Sequence, residues 1–265
     1  MGFFEAAILG VVQGVAEWIP ISSEGIVVLL GKHFFDGVTV TELIRFALYL
    51  HLGTFFAALI YFRKDVFELS KQIIHYKKAD EESRKLINFY AAATLVSGVI
   101  GITVLKGIES LDAWLNFTTK GVLVGLGIML MVTGLVHFRR RGGGVRSTGD
   151  LEVVDGIIAG VAQGVSVIPG ISRSGFTIAA LLLRNINDTQ SLKLSFIMSL
   201  PVVLAGNIFL DTSEFALTLQ SFISLVLAFG FGLLAIHFFL KIADKIPFGW
   251  FMIFFGLLVV ISAWI

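Results

Sequence analysis

The chain has 265 residues, 56% of them hydrophobic and 15% charged, against about 25% charged in a soluble domain. With a mean hydropathy of +0.90, this excludes an ordinary soluble protein and predicts a membrane protein. Twenty Lys and Arg nearly balance 19 Asp and Glu, and Cys is absent, so a nucleic-acid partner, disulfides, thiolate metal sites and thiol catalysis are all excluded.

The amino-terminal run MGFFEAAILG has no basic region and carries Glu5, so it reads as part of the fold and not as a cleavable signal. An apolar stretch over residues 3–30 is interrupted at Pro20-Ile21-Ser22-Ser23-Glu24-Gly25. Buried ionisable groups are expensive in a membrane, so this predicts a helix–break–helix hairpin over 3–35. Three spans are expected next, near 43–62, 87–105 and 121–138. A second broken stretch covers 153–183, interrupted at Pro169-Gly170-Ile171-Ser172-Arg173-Ser174-Gly175, and predicts a hairpin over 153–185. Three more spans are expected near 192–210, 218–240 and 248–265. Each of the six has the roughly 18–23 residues needed to cross a hydrocarbon layer.

Basic residues orient the spans, because Lys and Arg in short loops stay cytoplasmic. The link after the first span carries Arg63, Lys64, Lys71, Lys77, Lys78, Arg84 and Lys85. The link after the third carries Arg139, Arg140, Arg141 and Arg146 and reads, with Gly142-Gly143-Gly144, as a flexible cytoplasmic linker. The links 106–120 and 211–214 are poor in positive charge and belong outside.

Sliding the chain on itself by 150 positions aligns ILGVVQGVAEWIPISSEG with IAGVAQGVSVIPGISRSG. Identities fall at Ile8, Gly10, Val11, Gln13, Gly14, Val15, Ile21, Ser22 and Gly25 with their counterparts, which points to duplication. The expected fold is an all-α polytopic membrane protein: six transmembrane helices plus two re-entrant hairpins. Repeat 1 covers about 1–140 and repeat 2 about 151–265, in a single membrane domain. An odd number of crossings per copy inverts the second copy, so the hairpin tips should meet at the bilayer midplane.

Each break leaves a fresh helix amino terminus inside the membrane, with unpaired N–H groups and about half a positive charge, an environment that favours an anion. Arg173 adds a planar fork suited to phosphate oxygens, and Ser22, Ser23, Ser172, Ser174 and Thr177 add hydroxyls. Together they read as a phosphate or diphosphate cradle. Glu17 lies one turn before the first break, with Gln13 one turn earlier on the same face. Its carboxylate either neutralises Arg173, holds a divalent cation, or handles a proton. A cation, Mg²⁺ or Ca²⁺, would need substrate phosphate oxygens as further ligands. His51 starts a span and either reaches the cavity or is structural; His33 is expected at the external surface.

With both motifs in hand, the chain resembles the bacitracin-resistance family of undecaprenyl-diphosphate phosphatases along essentially its whole length. QGVAEWIPISSEG is similar to the family's first motif, an acidic residue or Gln before Glu and then Pro-x-Ser-Ser. PGISRSGFT matches the second, Pro-Gly-x-Ser-Arg-Ser-x-x-Thr, and so brings in Gly170. The resemblance implies hydrolysis of a polyprenyl diphosphate to the monophosphate at the extracytoplasmic face of the cell membrane, to recycle the lipid carrier for envelope glycans. It implies Ser23 as nucleophile, Glu17 in catalysis or metal binding, and Ser172, Arg173, Ser174 and Thr177 as the phosphate-binding segment. Where the family usually has His after Ser-Ser-x-Gly, this chain has Ile26, which moves no proton. Glu24, beside Ser23, is then expected either to take the proton role or to stabilise the restarted helix. The alternative is a prenyl-phosphate transporter on the same inverted-repeat plan. The 25 Phe residues identify no tail groove, and oligomeric state is left open, a homodimer included. Gly121, Gly125, Gly127 and Gly134 should permit close helix approach.

Overall fold

A proline has no N–H and disfavours helix at the residue before it, so the run that starts at Phe3 cannot continue through Pro20. In the computed structural model, which describes residues 2–35, 38–109, 121, 124–125, 127–135, 144–168, 171–209, 218–243, 248–262 and 264, helix α1 (Phe3–Ala16) stops one turn before that proline and α2 (Ser23–Phe34) begins three residues after it. The second interrupted stretch behaves alike: α7 (Val153–Val165) stops, and α8 (Arg173–Leu183) restarts. Between and after them run α3 (Val40–Tyr61), α4 (Arg63–Ile74), α5 (Glu81–Glu109), helical residues 127–135 as α6, α9 (Asp188–Phe209), α10 (Leu219–Ala243) and α11 (Phe248–Ser262).

The described residues are helical with short 3₁₀ turns, and four helices are long and apolar enough to cross a membrane: α3, α5, α9 and α10. These meet four of the six expected spans. The span expected at 248–265 corresponds to α11, helical over Phe248–Ser262, with residues 244–247, 263 and 265 outside the described residues. The span expected at 121–138 falls partly outside the described residues, as do Pro169, Gly170, the Arg139–Arg141 run and the side chain of His33. Arg63 follows Tyr61 after one residue, Phe62, whose backbone (φ −95°, ψ 19°) interrupts the helix between α3 and α4. Its Phe67 and Ile74 are exposed among basic neighbours.

Hydrophobicity does little to hold helices together in lipid, so close packing of small residues matters more. The glycines shared by the two aligned stretches do this work. A Cβ at Gly14 of α1 would lie 2.7 Å from the Ala228 carbonyl oxygen of α10, and Gly10 touches the backbone of Ser224 on the same helix. On the other side, a Cβ at Gly160 of α7 would lie 2.7 Å from the Ala93 carbonyl oxygen of α5, and one at Gly164 would crowd Ile100. Each broken pair therefore leans on a long helix from the other half of the chain. Gly127 and Gly134 pack against Gly256 and Gly249 of α11, whereas Gly121 and Gly125 face open space, so half of the expected small-residue stripe serves internal packing.

Under the two breaks lies the main apolar cluster, with Trp18, Ala57, Ile178, Phe196 and Ile236 fully or almost fully buried. Trp18 sets its edge on Phe196 at 4.8 Å between ring centroids. The outer end of the second pair is fastened differently. Asp155, completely buried, accepts both Nη1 and Nη2 of Arg146, at 3.0 and 2.7 Å, and Nε of Arg184 at 2.6 Å. Arg146 also bridges to Ile186, through Asn185 O and Asn187 N. Asn185 supplies the left-handed backbone this turn needs (φ 64°). Arg146, expected in a flexible linker, is thus fixed by a buried carboxylate that lies nine residues further on.

Candidate active site

The site is built from three devices: two helix restarts and one helix that passes behind them. Ser22 and Ser172 hold extended backbone (φ −72° in both) and each caps its restarted helix, accepting the N–H of Gly25 at 3.0 Å and of Gly175 at 3.1 Å. The cap fixes where each helix begins, so Ser23 and Arg173 become the first residues of α2 and α8. The backbone N–H groups of residues 23, 24, 173 and 174 have no partner among the described residues, leaving two positive helix ends open.

The two restarts touch. A Cβ at Gly175 would stand 3.1 Å from Cβ of Pro20, and Ser174 Oγ donates to the Ile19 carbonyl at 2.9 Å. Thr177, fully buried, turns its hydroxyl back to Arg173 O at 2.9 Å and meets Ser195 Oγ of α9 at 2.5 Å. It ties α8 to α9 and braces the turn that carries Arg173.

Glu17 gathers the rest. Its side chain is 4% exposed, a setting in which an unpaired carboxylate would be strongly destabilising. Oε1 accepts Arg173 Nη2 at 2.6 Å. Oε2 accepts Ser23 Oγ at 2.7 Å and Gln13 Nε2 at 2.9 Å, and lies 3.1 Å from His51 Nε2. One carboxylate thus joins the first residue of each restarted helix, although they are 150 positions apart in the chain. Arg173 Nη1 and Nε make no hydrogen bond to a described residue, so most of the fork remains for anionic oxygens.

The residues named from sequence therefore converge, Gly170 excepted, which lies outside the described residues. Gln13, Glu17, Ser23 and Arg173 form one hydrogen-bonded unit. Ser22 and Ser172 shape it as caps, and Ser174 and Thr177 brace it. Glu24 is half-buried, makes no hydrogen bond to a described residue, and acts on Glu17 and His51 through its charge. His51 is the group that sequence reasoning undervalued. It lies about three turns into α3 among apolar neighbours, and its contact with Glu17 arises only because α3 passes behind α1.

Chemically, a hydroxyl 2.7 Å from a buried carboxylate, a guanidinium on the opposite oxygen and two open helix ends suit phosphoryl transfer. The carboxylate can take the hydroxyl proton, and the donors can hold phosphoryl oxygens.

Comparison with known proteins finds relatives along nearly the whole chain. Residues 6–261 match the family described as bacitracin resistance protein BacA. The chain is 39% identical to an undecaprenyl-diphosphatase of Methanococcoides burtonii over 97% of both chains. It is 35% identical to that of Haloarcula marismortui, over 92% of this chain and 90% of the relative. A third undecaprenyl-diphosphatase, from Syntrophotalea carbinolica, is 35% identical over 78% of this chain and 76% of its own. With the motif residues joined around Glu17 and the match running almost end to end, this multi-pass membrane chain belongs to the bacitracin resistance protein BacA family.

Proposed function

We propose that the protein removes the terminal phosphate from a polyprenyl diphosphate of the undecaprenyl type, giving the monophosphate and inorganic phosphate and so returning the lipid carrier to envelope glycan synthesis. The observation that carries this reading is the Ser23–Glu17–Arg173 unit: a nucleophile, its base and a phosphate-binding cation within hydrogen-bonding distance. In the reaction, Ser23 Oγ attacks the terminal phosphorus and its proton passes to Glu17 Oε2. The bridging P–O bond breaks, and its electron pair leaves with the polyprenyl monophosphate. Water then attacks the phosphoserine, Ser23 Oγ leaves and recovers its proton from Glu17, and the water proton departs with the phosphate. Arg173 and the N–H groups at the two helix starts stabilise the phosphoryl oxygens throughout.

Among the described residues, no three His, Cys, Asp or Glu side chains stand together as an ion cage. Mg²⁺ or Ca²⁺ nevertheless fits if the substrate supplies ligands. Glu17 and Glu24 are the carboxylates at hand, and Gln13 Oε1 is a buried oxygen without a partner among the described residues. Such an ion would neutralise charge on the diphosphate. Glu24 is also placed at the first turn of α2, where a carboxylate favours the helix start.

In the membrane, the fold is read as six spans with two re-entrant hairpins, α1/α2 from outside and α7/α8 from the cytoplasm, as inverted repeats over about 1–140 and 151–265. The basic α4 and the Arg146 region mark the cytoplasmic side. The site then opens toward the extracytoplasmic face of the cell membrane, with the prenyl tail among membrane lipids. Open space at Gly121 and Gly125 leaves room for a homodimer contact.

Purified protein in detergent should release phosphate from polyprenyl diphosphate. Ser23→Ala and Arg173→Ala should each lower the rate by about 10²–10³-fold or more. Release that survives both substitutions overturns the reading. Movement of labelled lipid phosphate across liposomes without any release would mark a transporter instead.

A further inference from the structure

His51 is almost enclosed, with its side chain 16% exposed, and both ring nitrogens are engaged. Nδ1 lies 2.7 Å from the Ala47 carbonyl oxygen. A carbonyl oxygen only accepts, so Nδ1 carries a proton and Nε2 is the nitrogen whose state can change. Nε2 lies 3.1 Å from Glu17 Oε2. Two atoms that both lack a proton would repel at that distance, so the contact holds one, on the ring or on the carboxyl. Ser23 Oγ donates to the same Oε2. The chain Ser23–Glu17–His51 thus runs from α2 through the C-cap of α1 to α3.

We propose that His51 is the imidazole of this phosphatase: a positioning residue that acts through Glu17, orienting Oε2 toward Ser23 and balancing the carboxylate's charge as the serine proton arrives and returns. The proposal rests on the serine-nucleophile reading above. It also accounts for Ile26: an imidazole delivered from α3 does not require a histidine on the hairpin. The backbone anchor at Ala47 is what makes the role specific. With Nδ1–H held, the ring cannot flip its nitrogens, and Nε2 stays aimed at Glu17 through the cycle.

The charged groups around the ring are Glu17 from α1, Glu24 from α2 and, across Glu17, Arg173 from α8. The other helices against α3 carry their titratable groups at its far end. Lys193 of α9 pairs with Asp65 of α4, and His237 of α10 meets Tyr61; Asp188 and Lys241 lie near these along their own helices.

The test is kcat and KM for phosphate release from polyprenyl diphosphate by the full chain in detergent, for the unaltered protein, His51→Ala and His51→Gln. The Gln amide can still donate to Glu17, which Ala cannot. We expect kcat to fall about 10²-fold in His51→Ala with KM little changed, and His51→Gln to recover part of that loss. A kcat unchanged in both variants, or a loss carried by KM alone, overturns the role of His51 and leaves the phosphatase reading standing. No release by the unaltered protein overturns both. Should His51→Gln fail to accumulate, ¹⁵N spectra of histidine-labelled protein decide. The Nε2 resonance of His51 is expected to move in Ser23→Ala, and an unmoved resonance overturns the proposal.

Discussion

The two broken helix pairs share a backbone and differ in nearly everything chemical. In both, a glycine-faced helix ends, a serine in extended conformation caps the restart, and the second helix begins 20 residues after the first. Yet the first residue of the restarted helix is Ser23 in one and Arg173 in the other. Position 17 is Glu where its counterpart, 167, is Val. Gln13 donates to the Glu17 carboxylate, whereas Gln163 donates to Ser97 and to the Met198 carbonyl. The same scaffold thus supplies a hydroxyl and a carboxylate from one side and a guanidinium from the other, and neither pair brings the three together by itself. Glu17 is the residue that makes them one.

The outer ends of the pairs differ as sharply, and this can be broken experimentally. Glu5 and Asp155 are both third in their helices. Among the described residues Glu5 accepts only the Gly2 N–H at its own exposed helix start, whereas Asp155 holds two arginines in a buried setting. Asp155→Ala should cost about 3–5 kcal/mol, because it strands two partly buried guanidiniums. Glu5→Ala should cost no more than a few tenths. Detergent thermal denaturation of the two variants measures the difference, and equal losses would mean that Arg146 and Arg184 are held by something other than the Asp155 carboxylate.

A smaller effect sharpens the likeness. Ser22→Ala and Ser172→Ala remove equivalent caps, and each should cost about 1 kcal/mol. Matching losses in the same melts would support equivalent roles at the two restarts. A loss at only one would show that the other hydroxyl serves the ligand and not the helix.

Much of this architecture could be read from the chain because its causes are local. Pro20 and Pro169, each followed within a few residues by Ser and Gly, predicted both breaks within a few residues, and the 150-position alignment paired the elements that the structure pairs in form. The meeting of Glu17, Ser23 and Arg173 followed from the breaks once the tips were expected to touch. What escaped depends on contacts distant in sequence. Arg146 looked like a member of a linker run because nothing nearby announces its partner Asp155. His51 looked like one polar residue in an apolar span because its environment comes from α1 and α2.

The absence of native cysteine offers a clean test of the central claim, that the two restarts meet in one site. Disulfides need Cβ atoms about 3.5–4.5 Å apart, and positions 20 and 175 stand at 3.1 Å by the Cβ built on Gly175, close enough for a small adjustment. In membranes carrying Pro20→Cys together with Gly175→Cys, mild oxidation should give an intramolecular cross-link in high yield and abolish phosphate release, with activity restored by reduction. If the double variant assembles and releases phosphate but never cross-links, the tips do not meet and the account fails.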